Sequence, residues 1–101
     1  MSFICLGAAT WDTIFQVDTI PAAGIKVLPS RAVQAASGMA TSAAITIARL
    51  GAQVELWTRI GADVTGERYV LEVKNEGVNT NFVRKHAGVL TPFSSIIVDK
   101  Q

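Results

Sequence analysis

The stretch that most constrains what this chain can fold into is Ser37-Gly38-Met39-Ala40-Thr41-Ser42-Ala43-Ala44, continuing through Ile45-Thr46-Ile47-Ala48-Arg49-Leu50 to Gly51. It reads as a tight backbone turn that opens at once into a helix. Gly38 can adopt a backbone angle closed to other residues and lets a ligand approach the main chain. Thr41 and Ser42 offer hydroxyls at the helix start, where free N–H groups need acceptors. Met39, Ala43, Ile47 and Leu50 recur at helical intervals and draw one apolar face. Ala40, Ala44 and Ala48 form a second stripe, small enough to let the helix lie close to a sheet. Arg49 suits the negative end of the helix dipole, and Gly51 is a glycine stop.

Almost no loop follows. Gln53 to Arg59 alternates apolar and polar side chains, with Val54, Leu56 and Trp57 the apolar members, which predicts a strand. It runs into Gly61-Ala62-Asp63-Val64-Thr65-Gly66, a second glycine turn in which Asp63 is placed to cap the next helix. Glu67 to Glu76 carries Tyr69, Val70, Leu71 and Val73 and continues that helix to a stop at Gly77. Turn, helix, strand, turn, helix is the order of an α/β sheet protein.

Before this unit, Ser2 to Leu6 is a short apolar run ending at Gly7, as in a buried central strand. Ile14, Phe15 and Val17 predict a second strand. Asp12 lies between the two. A carboxylate just past a strand most often caps a turn, yet the C-terminal ends of central strands are where α/β proteins bind ligands, and an ionised carboxylate accepts strongly from sugar hydroxyls. Pro21, Gly24 and Pro29 break up residues 19–30, so Ile25-Lys26-Val27-Leu28 and Arg31 to Ala36 read as small edge strands of a separate flap. Lys26 there is by default a solvated charge; facing a cleft, it would meet an anionic group. Beyond Gly77, Asn79 to Arg84 is a short extended segment and His86 sits in a polar turn, as a surface residue. Ser94 to Val98 reads as another buried strand. Ser2–Leu6, Val54–Arg59 and Ser95–Val98 are expected side by side in one mainly parallel sheet.

Half of the 101 residues are hydrophobic, enough for a core, and the formal net charge of +1 carries no nucleic-acid footprint. The single Cys5 excludes an internal disulfide and reads as a buried structural thiol in a reducing compartment. No stretch approaches the roughly 20 apolar residues of a membrane span. The expectation is a soluble, cytoplasmic protein with no nucleic-acid or membrane partner. No second ligand-type residue is spaced with His86 to make a metal site. There is no G-x-x-x-x-G-K-[ST] loop, no G-x-G-x-x-G after the first strand, no H-E-x-x-H and no G-x-S-x-G. Three apolar strands would leave edges that a finished domain covers, so the chain reads as the front part of a larger α/β protein.

In combination these residues resemble the N-terminal portion of the PfkB (ribokinase-like) family of carbohydrate kinases. Ser37-Gly38 stand at the family's glycine pair, Ala44 at its small position, and Gly51 and Gly61 at its spaced glycines. Gly7 followed by Asp12, the Pro21–Gly24 flap, Ala48-Arg49-Leu50-Gly51-Ala52, Gly61 to Gly66 and Gly77-Val78-Asn79-Thr80 fall in the family's order. The resemblance covers essentially the whole chain. Two positions depart: Ser37 replaces the first glycine, and Ser42 replaces the Asn that usually bonds the sugar. The branch that phosphorylates sulfofructose is the most similar here, since it also lacks that Asn and carries a lysine at the Lys26 position that suits a sulfonate. Ribokinase and fructokinase types stay open.

The resemblance implies a ribokinase-like (Rossmann-like), mainly parallel sheet with a small β lid of about residues 12–36, the whole of 1–101 being the N-terminal part of the kinase domain. It implies ATP-dependent phosphorylation of a sugar hydroxyl, with Asp12, Gly38, Ser42 and Lys26 as substrate-binding residues. ATP and Mg2+ would serve the complete enzyme, with the catalytic and nucleotide-binding residues beyond Gln101. The lid implies a homodimer, or association with the C-terminal part. Two other readings compete: a non-catalytic α/β binding or assembly module on the same scaffold, and a nucleoside kinase of the same family.

Overall fold

The computed structural model describes residues 2–100. In chain order the elements are β1 (Ser2–Leu6), β2 (Thr10–Val17), β3 (Arg31–Ser37), α1 (Met39–Arg49), β4 (Gln53–Gly61), α2 (Val64–Asn75), β5 (Val83–His86) and β6 (Phe93–Asp99). They make two three-stranded sheets. The first, β1-β4-β5, is wholly parallel, from Ser2 opposite Gln53 to Gly61 opposite His86. The second, β3-β2-β6, pairs β2 antiparallel to β3 and parallel to β6. This is the α/β architecture that the sequence predicts.

The core lies between the first sheet and the two helices. Along β4, Val54, Leu56, Thr58 and Ile60 are buried while Trp57 and Arg59 are exposed, the period of two expected when one face packs and the other does not. Leu56, Tyr69, Val73 and Ala44 are fully enclosed, and each large apolar side chain buried in this way contributes about 1.5–3 kcal/mol. Trp57 turns to the other face, where it stacks on Phe82 with ring centroids 5.2 Å apart.

Helix α1 packs by its small stripe. Ala40, Thr41 and Ala44 are buried, whereas Met39 is 90 % and Leu50 82 % exposed. Of the expected apolar face of Met39, Ala43, Ile47 and Leu50, only Ile47 packs against the core, and the other three face outward. Close approach decides this: a Cβ on Gly7 would lie 3.0 Å from that of Ala40, a spacing that longer side chains on that stripe would forbid. The start of α1 also differs from expectation. Gly38 is the cap residue and no side chain caps the helix. Asp63 does cap α2, accepting from the Gly66 N–H at 2.7 Å. Both helices stop at a glycine with φ of 93°, Gly51 and Gly77.

Three further expectations are corrected. Strand β6 pairs with β2, not with β1 and β4. Its apolar run sets its strand character but not its sheet; the loop before it does, because Thr91 is bonded to Asp63 and the Pro92 carbonyl accepts from Trp11 N at 2.8 Å, starting the ladder. Strand β1 borders only β4 and leaves Phe3, Ile4 and Leu6 exposed, so it is an edge and not a buried centre among the described residues. Residues Ile25–Leu28 form no strand. Confined between Gly24 and Pro29, they find no ladder partner, and the segment rejoins β2 only at Ser30, whose N–H donates to the Gln16 carbonyl at 2.9 Å.

Candidate functional site

The site is built where the second sheet meets α1. Strand β3 runs out at Ser37, and the chain reverses at Gly38, with φ of 105°, into α1. That angle is strained for any residue with a side chain, and space is lacking as well: a Cβ here would lie 2.4 Å from the Ala8 carbonyl oxygen. Ala8 belongs to the connection between β1 and β2. Gly7, just before it, is fixed to β4 by its N–H on the Trp57 carbonyl and by its own carbonyl accepting from Thr58 Oγ1 at 2.6 Å. The turn thus rests on a connection held by the core sheet.

Thr41, expected to cap its own helix, does something else. Its Oγ1 donates to the Ala8 carbonyl at 3.3 Å and meets the Tyr69 hydroxyl at 2.5 Å. Burial pushes the Tyr69 phenol above its ordinary value, against a smaller lowering by the Thr41 bond. On the other side of the turn, Glu72 Oε2 of α2 accepts from the Ala36 N–H.

Asp12 stands on β2, opposite Ala35 of β3 and Ser94 of β6. It is therefore inside a strand, not in the turn beyond one. By the pleat of the ladder it shares a face with Thr10 and Ser37, and Ser37 is its diagonal neighbour at about 7–8 Å. Asp12 is buried, 9 % exposed, and its Oδ1 has no hydrogen-bond partner among the described residues. Buried carboxylate oxygens are nearly always paired. Asp12 and the Gly38 turn are thus brought together by one register.

The other two candidates lie apart from this pairing. Ser42 is exposed in the first turn of α1, its N–H donating to the Gly38 carbonyl at 2.9 Å and its carbonyl accepting from Thr46 Oγ1. Lys26 is exposed on the irregular segment before β3. His86, expected in a surface turn, ends β5 and is half-buried, with Nε2 enclosed and without a partner among the described residues.

Sequence reasoning did not single out the concave surface at the C-terminal ends of β1 and β4, about 760 Å³ in volume. It is lined by Leu6 to Thr10, Trp57, Arg59, Phe82 and Arg84 among others. Arg59 and Arg84 face each other across the β4–β5 ladder. The signal was present in Trp57 and Arg59, two apart on a strand whose alternate residues are buried. The Ala8 carbonyl and the Thr41 hydroxyl, which shape the turn, carry no sequence signal: a main-chain oxygen has no letter, and a hydroxyl does not name its partner.

Known proteins share the family pattern and the fold of this chain. The family model described as pfkB family carbohydrate kinase matches residues 2–101. The chain belongs to that family. It is similar to a ribokinase of Dictyostelium discoideum, 30 % identical over 95 residues, covering 94 % of this chain and 30 % of the relative. A solved structure from Agrobacterium tumefaciens, provisionally called a ribokinase, superposes with a TM-score of 0.92 at 38 % identity over 97 % of this chain and 32 % of that one. A nucleoside kinase of Methanocaldococcus jannaschii, described as an archaeal member of the ribokinase family, gives a TM-score of 0.79 at 27 % identity over 98 % of this chain and 33 % of that one. The chain spans about a third of the length of these relatives. Among the described residues no helix is long and apolar enough to cross a membrane.

Proposed function

We propose that this chain supplies the sugar-binding part and the lid of an ATP-dependent kinase that phosphorylates a sugar hydroxyl. Asp12 carries the reading: a buried carboxylate whose Oδ1 lacks a partner among the described residues, one diagonal step from the Ser37–Gly38 turn. A polyol hydroxyl donates to such an oxygen, and the charge makes that bond a strong one. The turn supplies close main-chain approach on the adjoining side, and β2, β3 and β6 form a sheet distinct from β1-β4-β5, as a lid requires. Excluding water from the reacting hydroxyl is what a lid contributes to phosphoryl transfer.

The described residues do not fit the phosphates of a nucleotide at either helix start. The N-terminus of α2 already holds the Asp63 carboxylate, negative where a phosphate would need donors, and the turn that opens α1 is assigned to the sugar. ATP and Mg2+ are accordingly assigned to the portion of the kinase outside this chain, and no step is derived through them.

Titration of the chain with ribose, fructose, sulfofructose and a nucleoside tests the reading and separates its substrate classes. A preference for sulfofructose would bring Lys26 into the site as the sulfonate partner, and a preference for the nucleoside would favour the nucleoside-kinase reading. Asp12→Ala is expected to weaken binding of the preferred sugar about 10- to 150-fold, the worth of one hydrogen bond to a charged group. Unchanged affinity would remove Asp12 from the site.

A further inference from the structure

Among the described residues the Ser37–Gly38 turn has no side-chain bond of its own to hold it. Its glycine takes an angle closed to residues with side chains, and α1 begins without a side-chain cap. What flanks it is α2. Tyr69, Glu72 and Glu76 stand at i, i+3 and i+7 along that helix and its cap, the spacing of a single face. Each reaches a different point of the chain around the turn. Glu72 Oε2 accepts the N–H of Ala36, two residues before Gly38. The Tyr69 hydroxyl meets Thr41 Oγ1, three residues after it. Glu76 takes Arg49 at the far end of α1 through two bonds of 2.6 and 2.7 Å.

The Glu72 bond is the unusual one. Among the described residues strand β3 borders only β2, so the Ala36 N–H on its outer side is the kind of edge group that another strand would otherwise claim. A carboxylate from a helix claims it instead, and the bond joins the lid sheet to the core layer within two residues of the turn.

We propose that Glu72 is a positioning residue for the sugar-facing turn, with Tyr69 its counterpart on the other flank. The carboxylate fixes the end of β3, the phenol fixes the start of α1 through Thr41, and the rigid turn of helix between them sets the separation of the two. The placement of Ser37 and Gly38 relative to Asp12 is then dictated from behind by α2. The sugar-binding consequence rests on the function proposed above; the positioning does not.

The experiment measures amide hydrogen exchange and ribose affinity on the full chain for wild type, Glu72→Ala, Glu72→Gln and Tyr69→Phe. Glu72→Ala is expected to speed exchange at Ala36, and through Ser37 to Thr41, about tenfold, whereas Glu72→Gln keeps an acceptor and stays within about threefold of wild type. Tyr69→Phe should loosen Thr41 while leaving Ala36 protected. Ribose affinity should fall about tenfold in Glu72→Ala and recover in Glu72→Gln. If Glu72→Ala does not fold, Glu72→Leu, which fills the space without an acceptor, takes its place. Unchanged exchange at Ala36, failure of Gln to restore it, or an intact ribose affinity beside a loosened turn would each overturn the proposal. A wild-type chain that binds no sugar would defeat the functional reading alone, and the exchange data would still decide the positioning.

Discussion

Gly38 shows how much a single position can demand. Its φ of 105° is closed to residues with side chains, and a Cβ would press on the Ala8 carbonyl at 2.4 Å. Gly38→Ala should cost about 2 kcal/mol or more, and in a chain this size each kcal/mol lowers the thermal midpoint by roughly 4–8 °C. A melting curve checks it; an unchanged midpoint would mean that the turn relaxes without penalty. Gly38 was legible in the sequence because a glycine directly before a helical pattern marks a sharp reversal of the chain. Asp12 was legible as a candidate but not as a buried strand residue, since its burial comes from sheet partners more than twenty residues away. Thr41 was harder to read for a related reason: a hydroxyl at a helix start usually caps that helix, and nothing local announces Tyr69 as a competing partner.

At the scale of elements, Asp63 and Thr91 join α2 to the loop before β6. The Thr91 hydroxyl, then the Thr91 N–H, then the Gly66 N–H lower the Asp63 pKa below its ordinary value. Folding therefore favours the ionised form. The resulting stability is present above the unfolded-state value of about 4 and is lost as pH falls through the lower folded-state value. Asp63→Asn should be less stable than wild type at neutral pH, and the difference should shrink below about pH 4, as thermal midpoints across that range would show. A gap independent of pH would assign the loss to packing. This same bond explains why the sequence pattern puts β6 in the wrong sheet. Ile96, Ile97 and Val98 are apolar in sequence, but Ile97 is half exposed and Ile96 and Val98 nearly so, because they pair with Ile14, Phe15 and Gln16 on β2. Apolarity reports that a strand forms; the anchored loop decides beside what.

For the whole molecule, the helix-strand order was readable apart from the strand expected at Ile25–Leu28, because each helix carries its own period and its own glycine stop. The division into two sheets was not, since sheet membership depends on contacts that no local pattern encodes. That division matters for function: one sheet with its helices forms the base, the other holds Asp12, and the Gly38 turn joins them. Phosphoryl transfer also requires donors around the moving group and a base at hydrogen-bond distance from the attacking hydroxyl. With the start of α2 holding the Asp63 carboxylate and the turn before α1 assigned to the sugar, this chain alone should release no ADP from ATP when given ribose, fructose or sulfofructose; sugar-dependent ADP at an ordinary enzymatic rate would contradict the assignment of the nucleotide site elsewhere. The most direct measurement of the central claim is an amide-resolved NMR titration of the chain with ribose, fructose and sulfofructose. The account predicts that one of them shifts Asp12 together with Ser37 to Ser42, with Asp12→Ala moving the midpoint of the response to about 10- to 150-fold more sugar. Shifts confined to Arg59, Arg84 and the Trp57–Phe82 surface, or no saturable shift with any sugar, would contradict it.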